Sequence, residues 1–526
     1  MCHVPWYHTL PIFRSYKILF YLFIQSSGHV WLYSQNLIIL PMYTPVTMQK
    51  HTLEHLKFVA FADILIAVTI LSVYFKLLTP ADPLPGITFI LFFTMLASIV
   101  IFWEHRIPIL LVTIGLMFFM NILNIDAFIR YARFDVIAFL LGMMIVVAFL
   151  EDKGFFDILL ALFMSRFGTS GKKFFLGILL MSAIFAAIVD EVTSVLFMAT
   201  MVLKVTKKYN VSPVPYIISI VFATNVGSTF TLIGNPVGVL IAFEGHLSFT
   251  DFLIWALPTG LLVLLLTMLL TMLYFRKDIK QLDMRMRHDV VGKKRLHGAK
   301  EIYMKLLMHR EMWVPLAVFL ITILGLMLHH TIEELFHLQP NSLLLGVPIF
   351  AAAISLIYGQ RNSIEVIEKR IEWPTLVFFI FFFASVGALE YANLTARIGE
   401  GITNLTGGDV TKNIVLFTWI SGITSAFMAN VLAVATLASI VHTLSVNTFP
   451  LWWAILFGSC YMGNLTIIGS SANVIAVDKL QKEKGRSITF VEWLKPGILV
   501  ACSQTLLAMC LTILLHVYLF PAPTAP

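Results

Sequence analysis

Asp190 and Glu191 are adjacent carboxylates at the middle of an apolar stretch, 174–203, with the hydroxyl of Thr193 close behind. A carboxylate at the centre of a membrane helix costs about 2.5–3.5 kcal/mol on insertion scales, so such residues are kept mostly for ion paths and proton relays. Two neighbouring like charges repel, so the pair either holds a cation or keeps one proton. In a shallow segment the same two acids would only touch water. A second kind of chemistry is written into residues 224–238, where three glycines, a proline, two asparagines and four hydroxyl residues share fifteen positions. No lipid-facing helix survives that composition, because the freed backbone groups find no partner in hydrocarbon. A break is expected around Asn225, Gly227, Thr231, Gly234 and Asn235. Its counterpart lies in 449–477, around Gly463, Asn464, Thr466, Gly469, Ser470, Ser471 and Asn473. In such breaks unwound carbonyls ligate a cation, and the positive N-terminus of the resuming half-helix faces an anion. One break alone is equally well a glycine-mediated helix contact; two matched breaks favour a binding site. Asp190, Asn225, Asn430 and Asn464 are then the candidate oxygen ligands of a sodium ion.

The elements that must position these residues follow from the width of the bilayer. A spanning helix needs about 20 residues, which places spans near 58–78, 87–103, 107–123, 136–150, 214–242, 252–275, 313–329, 342–358, 374–389, 449–477 and 497–519. Two further apolar stretches, 174–203 and 413–447, are too long for one helix and carry polar centres, Asp190-Glu191 and Ala429-Asn430. Each reads as a re-entrant hairpin. The basic loop 276–312 holds eleven Lys and Arg against five Asp and Glu. Placing it in the cytoplasm puts 31 of the 36 basic residues inside, as the positive-inside rule requires, with the N-terminus cytoplasmic and the C-terminus outside. The expectation is an all-α polytopic membrane protein of eleven spans and two hairpins.

The chain also repeats itself. Asp135 to Glu151 matches Pro374 to Glu390, and Lys173 matches Lys412 at an offset of 239 residues. After the hairpin, Thr231-Leu232-Ile233-Gly234 matches Thr466-Ile467-Ile468-Gly469. The repeats are taken as 87–275 and 313–520. Five spans is an odd number, so the second copy inserts upside down, a pattern of secondary transporters that bind solute at the midplane. Residues 1–57, rich in His and Tyr with broken apolar runs, read as an N-terminal extension, either peripheral or from a mis-annotated start, and 58–86 as a first span outside the repeats.

Composition excludes other classes. With 59% apolar and 12% charged residues the chain is no ordinary soluble domain. The net charge of +7 is explained by insertion, so no nucleic-acid partner is expected. Cys2, Cys460, Cys502 and Cys510 lack metal or disulfide spacing. Asp63, Glu151 and Glu390 suit packing or a solvated helix end, His442 stands alone, and Trp313, Trp373, Trp452 and Trp453 suit the interfacial belt. Among enzyme motifs, neither a His-Glu-x-x-His zinc site nor a phosphate loop is present, and no cofactor is implied.

The stretches from Asn225 to Ala242 and from Gly463 to Ala476 resemble the paired motifs of the ion transporter superfamily. The likeness is to the arsenite-permease and sodium–proton-antiporter (ArsB/NhaD) permeases, with citrate transporters and the melanosomal P protein as relatives, and it covers residues 58–520. It implies an elevator-like transporter with a mobile hairpin-bearing unit and a scaffold that often forms a homodimer. Asp190 and Asn430 match the family's hairpin-tip signatures; Glu191 stands where an amide is usual, and Ala429 where an acid or serine is usual, which favours proton coupling at the first hairpin. The leading expectation is a multi-pass cell-membrane transporter that carries a small anion or oxyanion, arsenite-, citrate- or dicarboxylate-like, by alternating access coupled to sodium or protons. A sodium/proton antiporter is the alternative. A membrane-embedded enzyme or a channel stands behind both, and ATP would enter only through a separate ATPase subunit.

Overall fold

The computed structural model describes residues 45–77, 82–167, 170–287, 310–359, 363–484 and 487–519. Residues 1–44 of the expected extension and 288–309 of the basic loop lie outside the described residues. Every regular element among the described residues is helical. Seven helices there are long and apolar enough to cross a membrane, and five shorter apolar helices accompany them. The stretches 214–242 and 449–477, where breaks are expected, each divide into two helices.

The chain forms two compact units. The first contains α1 (Pro45–Tyr74), α2 (Leu84–Ile101), α3 (Arg106–Phe119), α4 (Ile125–Tyr131) and residues 384–394. Within it Tyr131 donates its hydroxyl to Glu390. α1 is continuous from Pro45, so it takes in the last residues of the expected extension.

The second unit carries the candidate site. Its first half contains α5 (Phe134–Asp152), α6 (Phe155–Phe167), α7 (Gly171–Ile188), α8 (Glu191–Lys208), α9 (Val214–Gly227), α10 (Pro236–Gly245) and α11 (Phe249–Tyr274). The amphipathic α12 (Arg276–Arg287), α13 (Arg310–Leu335), α14 (Ser342–Tyr358) and α15 (Ser363–Lys369) follow. α16 (Trp373–Tyr391) joins the two units. Then come α17 (Leu394–Thr406), α18 (Val410–Phe427), α19 (Asn430–Val441), α20 (Phe449–Met462), α21 (Ser471–Lys484) and α22 (Phe490–Leu519). The helix starts Phe134 and Trp373, Phe155 and Leu394, Gly171 and Val410, and Glu191 and Asn430 stand at the offset seen in the sequence. Val214 and Phe449, then Pro236 and Ser471, keep the shorter offset after the hairpin.

α7 and α8 pack as an antiparallel pair, as do α18 and α19, and each pair turns at its polar residues. α5 lies close against α14, where a Cβ on Gly142 would meet the Pro348 backbone at 2.9 Å. Glu151 is not merely solvated: Arg370 bonds both it, at 3.1 Å, and Asp152.

Candidate functional site

The first hairpin tip is built by a side-chain helix cap, whereas Ala429 at the second offers none. Asp190 is extended and accepts the Thr193 N–H at 2.7 Å, satisfying one orphan donor of α8. Asn430 opens α19, and its side-chain oxygen accepts the Val431 N–H at 3.0 Å. The breaks are built as the first tip is. Asn235 caps α10 by accepting the Gly238 N–H at 2.7 Å, and the Ser470 hydroxyl accepts the Ala472 N–H at 3.2 Å at the start of α21.

The freed carbonyls are satisfied in matching fashion. The Asn235 amide donates to the Ser228 carbonyl at 3.2 Å, and the Asn473 amide donates to the Gly463 carbonyl at 2.8 Å. Glycine is required where these chains cross. A Cβ on Gly234 would run into the Ser228 carbonyl, and one on Gly469 into the Gly463 carbonyl. Thr231 donates to the Ala187 carbonyl at the end of α7, and Thr466 to the Ala426 carbonyl near the end of α18. Each break is therefore tied to the hairpin of its own half.

The halves then interlock. α21 packs along α8, and α10 packs along α19, so each resuming half-helix lies on the return arm of the other half's hairpin. α8, α10, α19 and α21 thus begin beside the breaks and run outward from them. Between the breaks lies a buried amide network. The Asn225 amide donates to Asn464 at 2.7 Å and Asn473 at 2.9 Å, while its own oxygen accepts from Ser470 at 3.1 Å. Asn464 donates to Gln504 at 2.9 Å, and Gln504 donates to Thr267 at 2.7 Å. Trp493 and Tyr461 seal the edges, through the Asn464 carbonyl and the Thr229 hydroxyl.

Most predicted residues therefore meet, though in different roles. Asn225 and Asn464 of the expected sodium set touch directly, but Asp190 caps α8, Asn430 opens α19, and neither shares a hydrogen bond with that pair among the described residues. Gly227 serves packing, since a Cβ there would strike the Ala183 backbone of α7. Ser471 is the first residue of α21. Glu191 is 2% exposed, and its Oε2 atom has no hydrogen-bond partner. No basic side chain pairs with Asp190, Glu191 or Glu372 among the described residues, although the three acids are near enough to act on one another electrostatically. Cys460 sits by Glu191, receives the Asn235 amide at 3.4 Å and is also reached by Asn430. No cluster of three or more His, Cys, Asp or Glu side chains suited to a metal is present among the described residues.

Sequence reasoning missed Gln504, Thr267, Tyr461, Trp493 and Cys460. Gln504 alone carried a signal, being an amide inside an otherwise apolar span. His442, read as solitary, instead bonds Glu244 at 2.8 Å.

A family model described as CitMHS, citrate transporter, matches residues 96–458. The chain belongs to the citrate transporter family. This family member is 29% identical over 382 residues to a 46 kDa membrane protein of Mycobacterium leprae, an alignment covering 71% of this chain and 84% of that one. It is 28% identical to an uncharacterized transporter of Mycobacterium tuberculosis, with the same coverage. The human P protein is 26% identical over 459 residues, covering 74% of this chain and 54% of that protein. Among solved structures, the YdaH transporter of Alcanivorax borkumensis shares the fold, with a TM-score of 0.54 at 16% identity over 77% of this chain and 89% of that one. The chain is a membrane transporter.

Proposed function

We propose that this transporter carries a small anion, of the citrate, dicarboxylate or oxyanion class, by alternating access coupled to sodium or protons. The observation that carries the reading is the opening of four short helices, α8, α10, α19 and α21, beside two interlocked breaks. Each N-terminus is equivalent to roughly half a positive charge, and the three without an acid in the first turn, those of α10, α19 and α21, favour an anion more than one does. Glu191 supplies the matching acid, buried and without a hydrogen-bond partner at Oε2, where a proton or cation would neutralise it. Because Asn225 and Asn464 already satisfy each other, they are poor sodium ligands unless the network opens. The unpartnered acid also supports the second reading, a sodium/proton antiporter.

Purified protein in liposomes tests this. Labelled citrate should accumulate when a sodium or proton gradient is imposed and fail to do so without one. Gradient-driven exchange of sodium for protons with no added anion would favour the antiporter and end the first reading. The expected orientation is N-terminus in and C-terminus out, by the placement of basic loops.

A further inference from the structure

α10 and α19 begin at the proposed site, with Asn235 and Asn430 both reaching Cys460. They have 10 and 12 residues and pack on each other, so their far ends lie about 15 Å away at 1.5 Å per residue. At that far end Glu244, in the last turn of α10, binds two partners. Its Oε1 atom accepts from the Arg133 guanidinium, which also grips Asp135 through Nε at 3.1 Å and through Nη2 at 3.0 Å. Its Oε2 atom lies 2.8 Å from His442 Nε2, and a carboxylate only accepts, so that nitrogen carries the proton. His442 caps α19 and faces the ring of Trp452 at 5.3 Å. Trp452 also closes the other side, since a Cβ on Gly245 would meet its ring at 3.0 Å. Glu244 is 17% exposed and sits at a helix C-terminus, an unfavourable place for an anion unless cations hold it.

We infer that Glu244 is a positioning residue, the outer clamp that fixes α10 to α19 and both to the start of α5, and so sets where Asn235 and Asn430 stand at the inner ends. The inner ends turn on the glycine-crossed break at Gly234 and on the hairpin tip at Ala429-Asn430, where no side chain caps α19. A half-helix pivoting at its inner end is held only by packing and by what grips its outer end. At the end of α21 the ion pairs Lys479 with Glu483 and Lys482 with Asp478 stay within that helix.

The inference rests in part on the proposed transport site, but hydrogen–deuterium exchange on the full-length protein without any solute tests the clamp separately. Glu244→Gln should raise amide exchange about threefold or more along both 236–245 and 430–441. The charge exchange Arg133→Glu with Glu244→Arg restores the grip of α5 on α10 but not the bond to His442. Protection should therefore return in 236–245 and stay lost in 430–441. Exchange altered only at residues adjoining the substitution, or equally in both helices of the exchanged variant, overturns the clamp. In liposomes, uptake of labelled citrate by Glu244→Gln should slow about tenfold with its half-saturating concentration little changed, and full recovery of rate by the charge exchange would also contradict a role for His442.

Discussion

Glu191 and Asn225 are both buried and polar, yet they meet the cost of burial in opposite ways. Asn225 spends both amide protons and its oxygen on Asn464, Asn473 and Ser470; Glu191 leaves an oxygen unpartnered. Their substitutions should separate accordingly. Asn225→Ala strands three buried groups, each at about 1–3 kcal/mol when unsatisfied, so melting in detergent should fall clearly, and an unchanged melting temperature would mean the network contributes little. Glu191→Gln keeps shape and removes the titrating group. It should leave folding intact while abolishing gradient-driven uptake, and wild-type uptake in that variant would remove Glu191 from the coupling. At this scale the sequence was readable for residue type and unreadable for partnership. A carboxylate pair in an apolar run announces itself, but the Asn225–Asn473 bond joins residues 248 apart, and the Glu244–His442 bond residues 198 apart. No local pattern encodes either.

The elements were legible where the bilayer leaves no choice. Segments crowded with Gly, Pro and Asn had to break, because unpaired backbone is not tolerated in hydrocarbon, and both breaks fall inside the expected stretches, while helices such as Pro45–Tyr74 and Phe490–Leu519 run past theirs. What stayed hidden was the crossing of each resuming half-helix onto the opposite hairpin, a matter of tertiary packing. Two predictions belong here. Gly234→Leu and Gly469→Leu each drive a side chain into the carbonyl of the same break, so uptake should fall in both and a thermal melt should show loss of about 1–3 kcal/mol; wild-type behaviour in both would show that the crossings are loose. The second concerns α12, whose Asp283 accepts from Ser170 at 2.6 Å and from Arg287 at 2.9 Å at the start of α7. Burial pushes the pKa of this carboxyl up, but the bonds from Ser170, the Lys172 N–H and Arg287 outweigh it and hold the group below the ordinary carboxylate range. A depressed pKa contributes stability above the unfolded value that disappears as pH falls through the folded one. Proteolysis of α12 should therefore accelerate only below the usual carboxylate range, and Asp283→Asn should remove that acid sensitivity.

At the scale of the molecule, family membership and fold agree with the reading of a polytopic helical transporter. Length and hydropathy sufficed for the polytopic helical class, and the matched breaks with the family resemblance for the transporter; the choice of solute depends on the few atoms facing the site, which spacing does not reveal. We propose that the two halves are inverted copies, which would place Glu244 and His442 at the outer face and Arg370 with Glu151 at the inner one. Cys460 reports on the centre of the site, since it lies beside Glu191, Asn235 and Asn430 and, being 1% exposed, is reached by a reagent only when the site opens. In protein with Cys2, Cys502 and Cys510 changed to serine, the measurement is citrate uptake by liposomes after alkylation of Cys460 with N-ethylmaleimide. Alkylation should abolish uptake, and citrate present during labelling should slow the reaction; full uptake by completely alkylated protein would rule out a solute site beside Cys460.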